Sequence, residues 1–126
     1  MPIQLSEDEF AELTHQAIAS LPEQFRKHME TVSINIRPTP TRQMLAKTRI
    51  SSKDLLLGLY QGVPLIKKSV SAPYEFPQQI TLFQKNIEAV CSTRSQIVRQ
   101  IRLTVLHEIG HYFGMEEEDL RRLGYG

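Results

Sequence analysis

The stretch that decides the fold is His107-Glu108-Ile109-Gly110-His111-Tyr112-Phe113-Gly114-Met115-Glu116-Glu117. It follows and overlaps a run of apolar residues spaced every four positions, as in one buried helical stripe: Ile97, Ile101, Val105 and Ile109. This spacing predicts a long helix over about residues 94–113. Gly114 ends that helix, because glycine adopts left-handed backbone geometry after a helix at little cost. Two histidines therefore lie one turn apart near the end of a strongly periodic helix.

The pair His107 and His111 has the spacing of metal-binding histidines. Side chains four residues apart project from one face of a helix, so two imidazoles there can bind one divalent ion, most commonly zinc. Glu108 projects about 100° further around the helix, where it can reach a water on the metal. A surface-helix histidine pair is the alternative, but it does not explain why the pair lies in the most apolar helix. The pattern favours one zinc ion, with Glu108 as the catalytic base.

A catalytic zinc site usually has a third protein ligand and a water. His15 and His28 are expected on outer helices, as solvated or capping residues. The extended motif H-E-x-x-H-x-x-G-x-x-H has its third ligand six residues after the second histidine, a position that Glu117 occupies here. Glu118 as the ligand, or an acidic helix start stabilised by the helix dipole, remain as alternatives.

The rest of the chain predicts a mixture of helices and short strands. Ser6 and Glu9 form a capping-box pattern, which predicts a first amphipathic helix over about residues 6–20. Alternation of apolar and polar residues predicts a strand from Val32 to Arg37. The other segments are a short helix after Pro22, a buried strand or turn at 55–59, a loop at 64–77, a strand at 80–83 and a last helix at 116–123. Residues 41–52 give no assignment.

Composition is typical of a soluble protein with one domain, here residues 1–126. Hydrophobic residues make up 40% and charged residues 23% of the chain, and its length is sufficient for a buried core. The net charge of +1 gives no electrostatic case for binding nucleic acid or an anionic membrane. A single cysteine, Cys91, excludes an internal disulfide and predicts a small buried side chain. With no membrane-spanning run and no signal-peptide pattern, a cytoplasmic protein is expected.

The sequence resembles the small bacterial minimal zincins, a family of zincin-like possible zinc metallopeptidases. The resemblance covers about residues 21–126 and rests on LPEQF at 21–25, LGLYQGVPL at 57–65, ITLF at 80–83 and the segment 107–123. It implies a compact α+β fold, a small mixed sheet packed against helices with the HExxH active-site helix under the sheet. It also implies zinc at His107 and His111. Relatives typically have Asp at the position of Glu117, His at that of Tyr112 and Arg at that of Asp119. Gly58 and Gly62 are expected to serve tight turns.

The predicted function is a zinc-dependent metallopeptidase acting on a peptide or protein substrate. Zinc acidifies water and polarises the substrate carbonyl, while Glu108 carries the proton to the leaving amine. An extended peptide is expected to pair with an edge strand, for which residues 80–83 are the candidate. One alternative is a non-catalytic zinc-binding or interaction protein that retains the site. Another is an RNA-processing metallohydrolase, against which Glu117 in place of a third histidine and the neutral charge balance both argue.

Overall fold

The structure is a computed structural model whose description covers residues 1–46, 56–61, 78–112 and 122, with the backbone alone at 111 and 112. Five α-helices and three strands lie in these ranges. The helices are α1 (Glu7–Ala19), α2 (Glu23–His28), α3 (Arg42–Ala46), α4 (Gln84–Ala89) and α5 (Arg94–Tyr112). The strands are β1 (Ser33–Arg37), β2 (Gly58–Gln61) and β3 (Gln79–Phe83), and a 3-10 turn at Met29–Thr31 precedes β1. The expected loop at 64–77 and nearly all of the expected helix at 116–123 lie outside the described residues.

Helix α1 begins at the predicted capping box. The Ser6 hydroxyl accepts a hydrogen bond from the Glu9 backbone N–H at 3.1 Å, and the Glu9 carboxylate accepts one from the Ser6 N–H at 3.0 Å. These bonds satisfy two backbone donors that a helix start would otherwise leave unpaired. The helix then buries Phe10, Leu13 and Ala17. The prediction of a helix over about 6–20 is confirmed, with Ser6 as its cap.

Strand β3 lies at the centre of the sheet. It pairs in parallel with β1 and antiparallel with β2, so the order is β1-β3-β2. The small mixed sheet and the helices that surround it confirm the expected α+β fold. The prediction that residues 80–83 form an edge strand for a peptide is wrong, because β3 has a neighbour on both sides. Among the strands that the structure describes, the edge strand that contacts α5 is β2.

The two faces of the sheet pack against different partners. On one face, apolar side chains of all three strands join the main core with α1 and α5: Ile34, Ile36, Tyr60, Ile80 and Leu82. On the other face, Leu59 and Phe83 pack with Leu56 and with α3 in a smaller cluster. Beside this cluster, a row of amide side chains crosses the sheet, from Asn35 to Gln79 at 2.6 Å and from Gln79 to Gln61 at 3.1 Å.

Helix α5 is the element around which the main core is built. Its predicted stripe is completely buried, with 0% exposure at Ile97, Ile101, Val105 and Ile109. This stripe explains why α5 packs against both α1 and the sheet. Within the ranges described above, no helix combines the length and apolar character needed to cross a bilayer.

Gly58 brings β2 unusually close to α5. A Cβ atom added to Gly58 would lie 2.6 Å from the Cγ2 methyl of Thr104, well inside van der Waals contact. Gly58 is the first residue of β2 and not part of a tight turn, so the expected reason for this glycine is wrong. It is needed for the close approach of helix and strand. Gly62 lies outside the described residues.

Candidate metal centre

The two predicted zinc-binding histidines lie in the last two turns of α5. The helix continues to Tyr112, so the backbone at His107 and His111 has the four-residue helical offset that the sequence predicts. The side chain of His107 is half-buried. Because α5 is fixed by its buried stripe, the orientation of this end of the helix is set by the core and not by the site itself.

The carboxylate of Glu108 contacts the edge of the sheet. Its Oε1 accepts a hydrogen bond of 2.7 Å from the backbone N–H of Tyr60 in β2. The N–H groups of an antiparallel pair alternate between the partner strand and the outside. Phe83 donates to the carbonyl of Leu57, so the outward-facing positions of β2 are Gly58 and Tyr60. Glu108 therefore accepts from a donor on the side of β2 that faces away from β3.

The side chain of Tyr60 extends into a separate polar cluster. Its hydroxyl donates to Gln78 Oε1 at 2.8 Å and lies 3.5 Å from His28 Nε2. Gln78 is 8% exposed, and its amide nitrogen has no hydrogen-bond partner among the residues that the structure describes. Both histidines were expected to be solvated or capping residues; His15 is exposed, and His28 is half-buried beside this cluster.

The chemistry of the motif residues fits zinc. Imidazole nitrogen and carboxylate oxygen are both common zinc donors. In residues 1–46, 56–61 and 78–110, no group of three or more His, Cys, Asp or Glu side chains is placed to hold a metal ion. The prediction of Glu117 as third ligand, and its alternative Glu118, fall outside the described residues. The same holds for the side chain of His111.

Cys91 has the structural role predicted from its isolation in the sequence. It is 3% exposed, and burial raises the pKa of its thiol, so it remains protonated at neutral pH. Its backbone carbonyl accepts a hydrogen bond from the Ile3 N–H at 3.0 Å, which ties the N-terminal segment to the turn before α5. A cavity of about 620 Å³ adjoins this segment and α4, and none of its lining residues belongs to the motif.

The contact between Tyr60 and Glu108 is the part of the site that sequence reasoning missed. A backbone N–H leaves no trace in the amino-acid pattern, since every residue except proline carries one. The available signal was Gly58, whose lack of a side chain permits the close approach of α5. Its significance appears only when the partner Thr104 is known.

Comparison with known proteins gives one family match. The model of a family described as zincin-like metallopeptidase matches residues 29–126. The matched range contains the whole sheet, both the β2 edge and α5, and the complete H-E-x-x-H segment. A search of curated proteins finds no match to this chain.

Proposed function

Since the chain belongs to the zincin-like metallopeptidase family, we propose that it is a zinc-dependent peptidase with Glu108 as its general base. The proposed metal ligands are His107, His111 and Glu117. The observation that carries the proposal is the 2.7 Å hydrogen bond between Glu108 and the edge of β2. It brings the predicted base to a strand edge that an extended peptide can use.

The substrate in this proposal is an extended peptide segment that lies along β2. Apart from the Tyr60 N–H, which donates to Glu108, the backbone of β2 on the side away from β3 would form main-chain hydrogen bonds with such a segment, as in strand addition to a sheet. The segment would then run beside the last turns of α5, since α5 packs against β2. In this arrangement the backbone of the peptide places its scissile carbonyl next to the motif residues, with little dependence on which side chains the peptide carries.

The metal, the two histidines and Glu108 have separate roles in the proposed reaction. Zinc, when bound, would polarise the scissile carbonyl and acidify the attacking water. The two histidines would hold the metal through neutral ring nitrogens. Glu108 accepts the proton of the attacking water and passes it to the amine that leaves.

The proposal is tested with an unbiased peptide mixture and purified full-length protein. We expect cleavage by the zinc-loaded protein, no cleavage after chelation, and no cleavage by Glu108→Gln at unchanged zinc content. The amide has nearly the shape of the carboxylate but cannot take up the water's proton. The control for the metal is the double variant His107→Ala/His111→Ala, which should lose its zinc in elemental analysis. Equal zinc in the double variant, or cleavage by Glu108→Gln at the wild-type rate, would refute the proposal.

A second candidate is a zinc-binding protein without turnover. The same hydrogen bond favours it, because it gives the Glu108 carboxylate a structural contact that needs no catalysis. The two candidates differ in what Glu108→Gln does. A purely structural carboxylate predicts a change in stability with no peptide product in either protein, and a catalytic one predicts a product that only the wild type makes.

A further inference from the structure

Two of the contacts between α5 and β2 are spaced by similar distances along the helix and along the strand. Thr104 meets Gly58, and one helical turn later Glu108 meets Tyr60. Four residues of a helix rise about 6 Å, and two residues of a strand span about 6.6 Å. The close packing of the first pair therefore brings the second pair into hydrogen-bonding range.

We propose that the backbone N–H of Tyr60 is the positioning group of Glu108, holding the carboxylate in place for proton transfer. This inference rests on the proposed peptidase function. A glutamate side chain has three rotatable bonds, and fixing them costs conformational entropy at the moment of reaction unless a partner holds them beforehand. A charge-assisted hydrogen bond of 2.7 Å is a strong partner of this kind.

A backbone donor serves this purpose better than a side chain in this position. The N–H of Tyr60 cannot rotate away, because β2 is held on its other side by β3. The Tyr60 hydroxyl adds a second restraint through its 2.8 Å bond to buried Gln78. Glu108 is thus held by the same strand along which the proposed substrate lies.

The first test measures the hydrogen bond without any need for activity. Amide hydrogen exchange is followed by NMR in the zinc-free full-length protein, its Glu108→Gln variant and its Glu108→Ala variant. We expect the Tyr60 amide to exchange about tenfold faster in Glu108→Ala than in wild type, since its acceptor is gone, and at an intermediate rate in Glu108→Gln. The Leu59 amide, which faces β3, is the internal control. No acceleration at Tyr60, or equal acceleration at Leu59, would overturn the inference.

The second test removes the donor. Tyr60→Pro deletes the N–H, and because that N–H faces outward, the bonds between β2 and β3 are spared. Tyr60→Ala is the matched control, which loses the same side chain but keeps the N–H. We expect kcat for Tyr60→Pro to be at least about tenfold below that for Tyr60→Ala at equal zinc content. Equal kcat values would overturn the inference.

The two tests separate this inference from the proposed function. A wild-type protein that binds zinc but cleaves no peptide refutes the peptidase, and with it the catalytic role of the Tyr60 N–H. A wild-type protein that cleaves peptide, with Tyr60 exchange insensitive to Glu108→Ala, refutes the positioning role alone. If Tyr60→Pro does not fold, as judged from its thermal transition, the exchange measurement still decides the question.

Discussion

Replacing Gly58 with alanine tests the close approach on which the geometry of the site depends. The added Cβ would lie 2.6 Å from Thr104 Cγ2 and 3.3 Å from the carbonyl oxygen of Thr81. Carbon atoms pack best at about 3.5–4.0 Å, so the first contact must lengthen by about 1 Å. Thr104 is β-branched and 9% exposed, which leaves its methyl group little freedom to turn away. Helix α5 and strand β2 must therefore separate.

The expected cost follows from these contacts. Overpacking of a buried site costs about 1–3 kcal/mol. Part of this is offset by about 0.4–1 kcal/mol, because alanine restricts the unfolded chain more than glycine does. We expect Gly58→Ala to lower the free energy of unfolding by about 1–2 kcal/mol. A separation of 1 Å would also stretch the 2.7 Å bond between Glu108 and Tyr60 beyond hydrogen-bonding range.

Urea denaturation of four proteins measures the effect: wild type, Gly58→Ala, Thr104→Ser and the double variant. Thr104→Ser removes only the methyl group that the new Cβ would strike, and should cost about 0.8 kcal/mol alone. In the double variant the Cβ occupies the vacated space, so the losses should fall short of their sum by at least about 1 kcal/mol. Additive losses would refute the reasoning, because they would mean that the two side chains do not meet.

Three further predictions concern the ends of the chain. Ser6→Ala should lower the free energy of unfolding by about 1 kcal/mol in urea denaturation, since α1 loses its side-chain cap; an unchanged midpoint would contradict this. The backbone hydrogen bond from Ser6 and the contact with Arg94 hold the pKa of Glu9 below its usual range, so this carboxylate stabilises the fold above its unfolded pKa. The wild type should therefore lose its advantage in free energy of unfolding over Glu9→Gln as the pH falls through that lowered pKa. A constant difference in free energy of unfolding from pH 7 to pH 2 would contradict this role of Glu9. Glu117→Ala should weaken zinc binding by more than the roughly 10–100-fold that is typical of residues supporting a ligand, as measured by competition with a chelator. The matched variant Glu116→Ala should change zinc affinity little. The reverse order would indicate that Glu116, and not Glu117, is the ligand.

The sequence predicts those parts of the fold that rest on local patterns. Helix α5 follows from a four-residue apolar repeat, and α1 from a capping box that the structure reproduces atom for atom. Helices α3 and α4 went unpredicted because elements of five and six residues contain too few turns to show a period. The motif residues are evident for the same local reason, since their spacing is that of one helix.

The arrangement of the strands depends on contacts between distant residues and was not predictable in this way. Apolar content marks residues 80–83 as a strand but is the same for a central and an edge position. The central place of β3 is decided by its pairing with a strand much earlier in the chain, as in the register pair Asn35 and Thr81. The position of His28 near Tyr60 has the same origin. A pairing partner so far along the chain has no periodic signature.

The central position of β3 also sets the order in which a growing chain can assemble. Among the strands that the structure describes, β1 and β2 pair only with β3, so a nascent chain that ends before Gln79 has both of them without this partner. Once β3 is synthesised, both strands gain their partner together, and α5 follows only a few residues later. We therefore expect ribosome-bound chains shorter than this to depend on chaperones that shield unpaired strands. His107 and Glu108 lie in α5, which follows β3 along the chain, so they are synthesised after all three described strands.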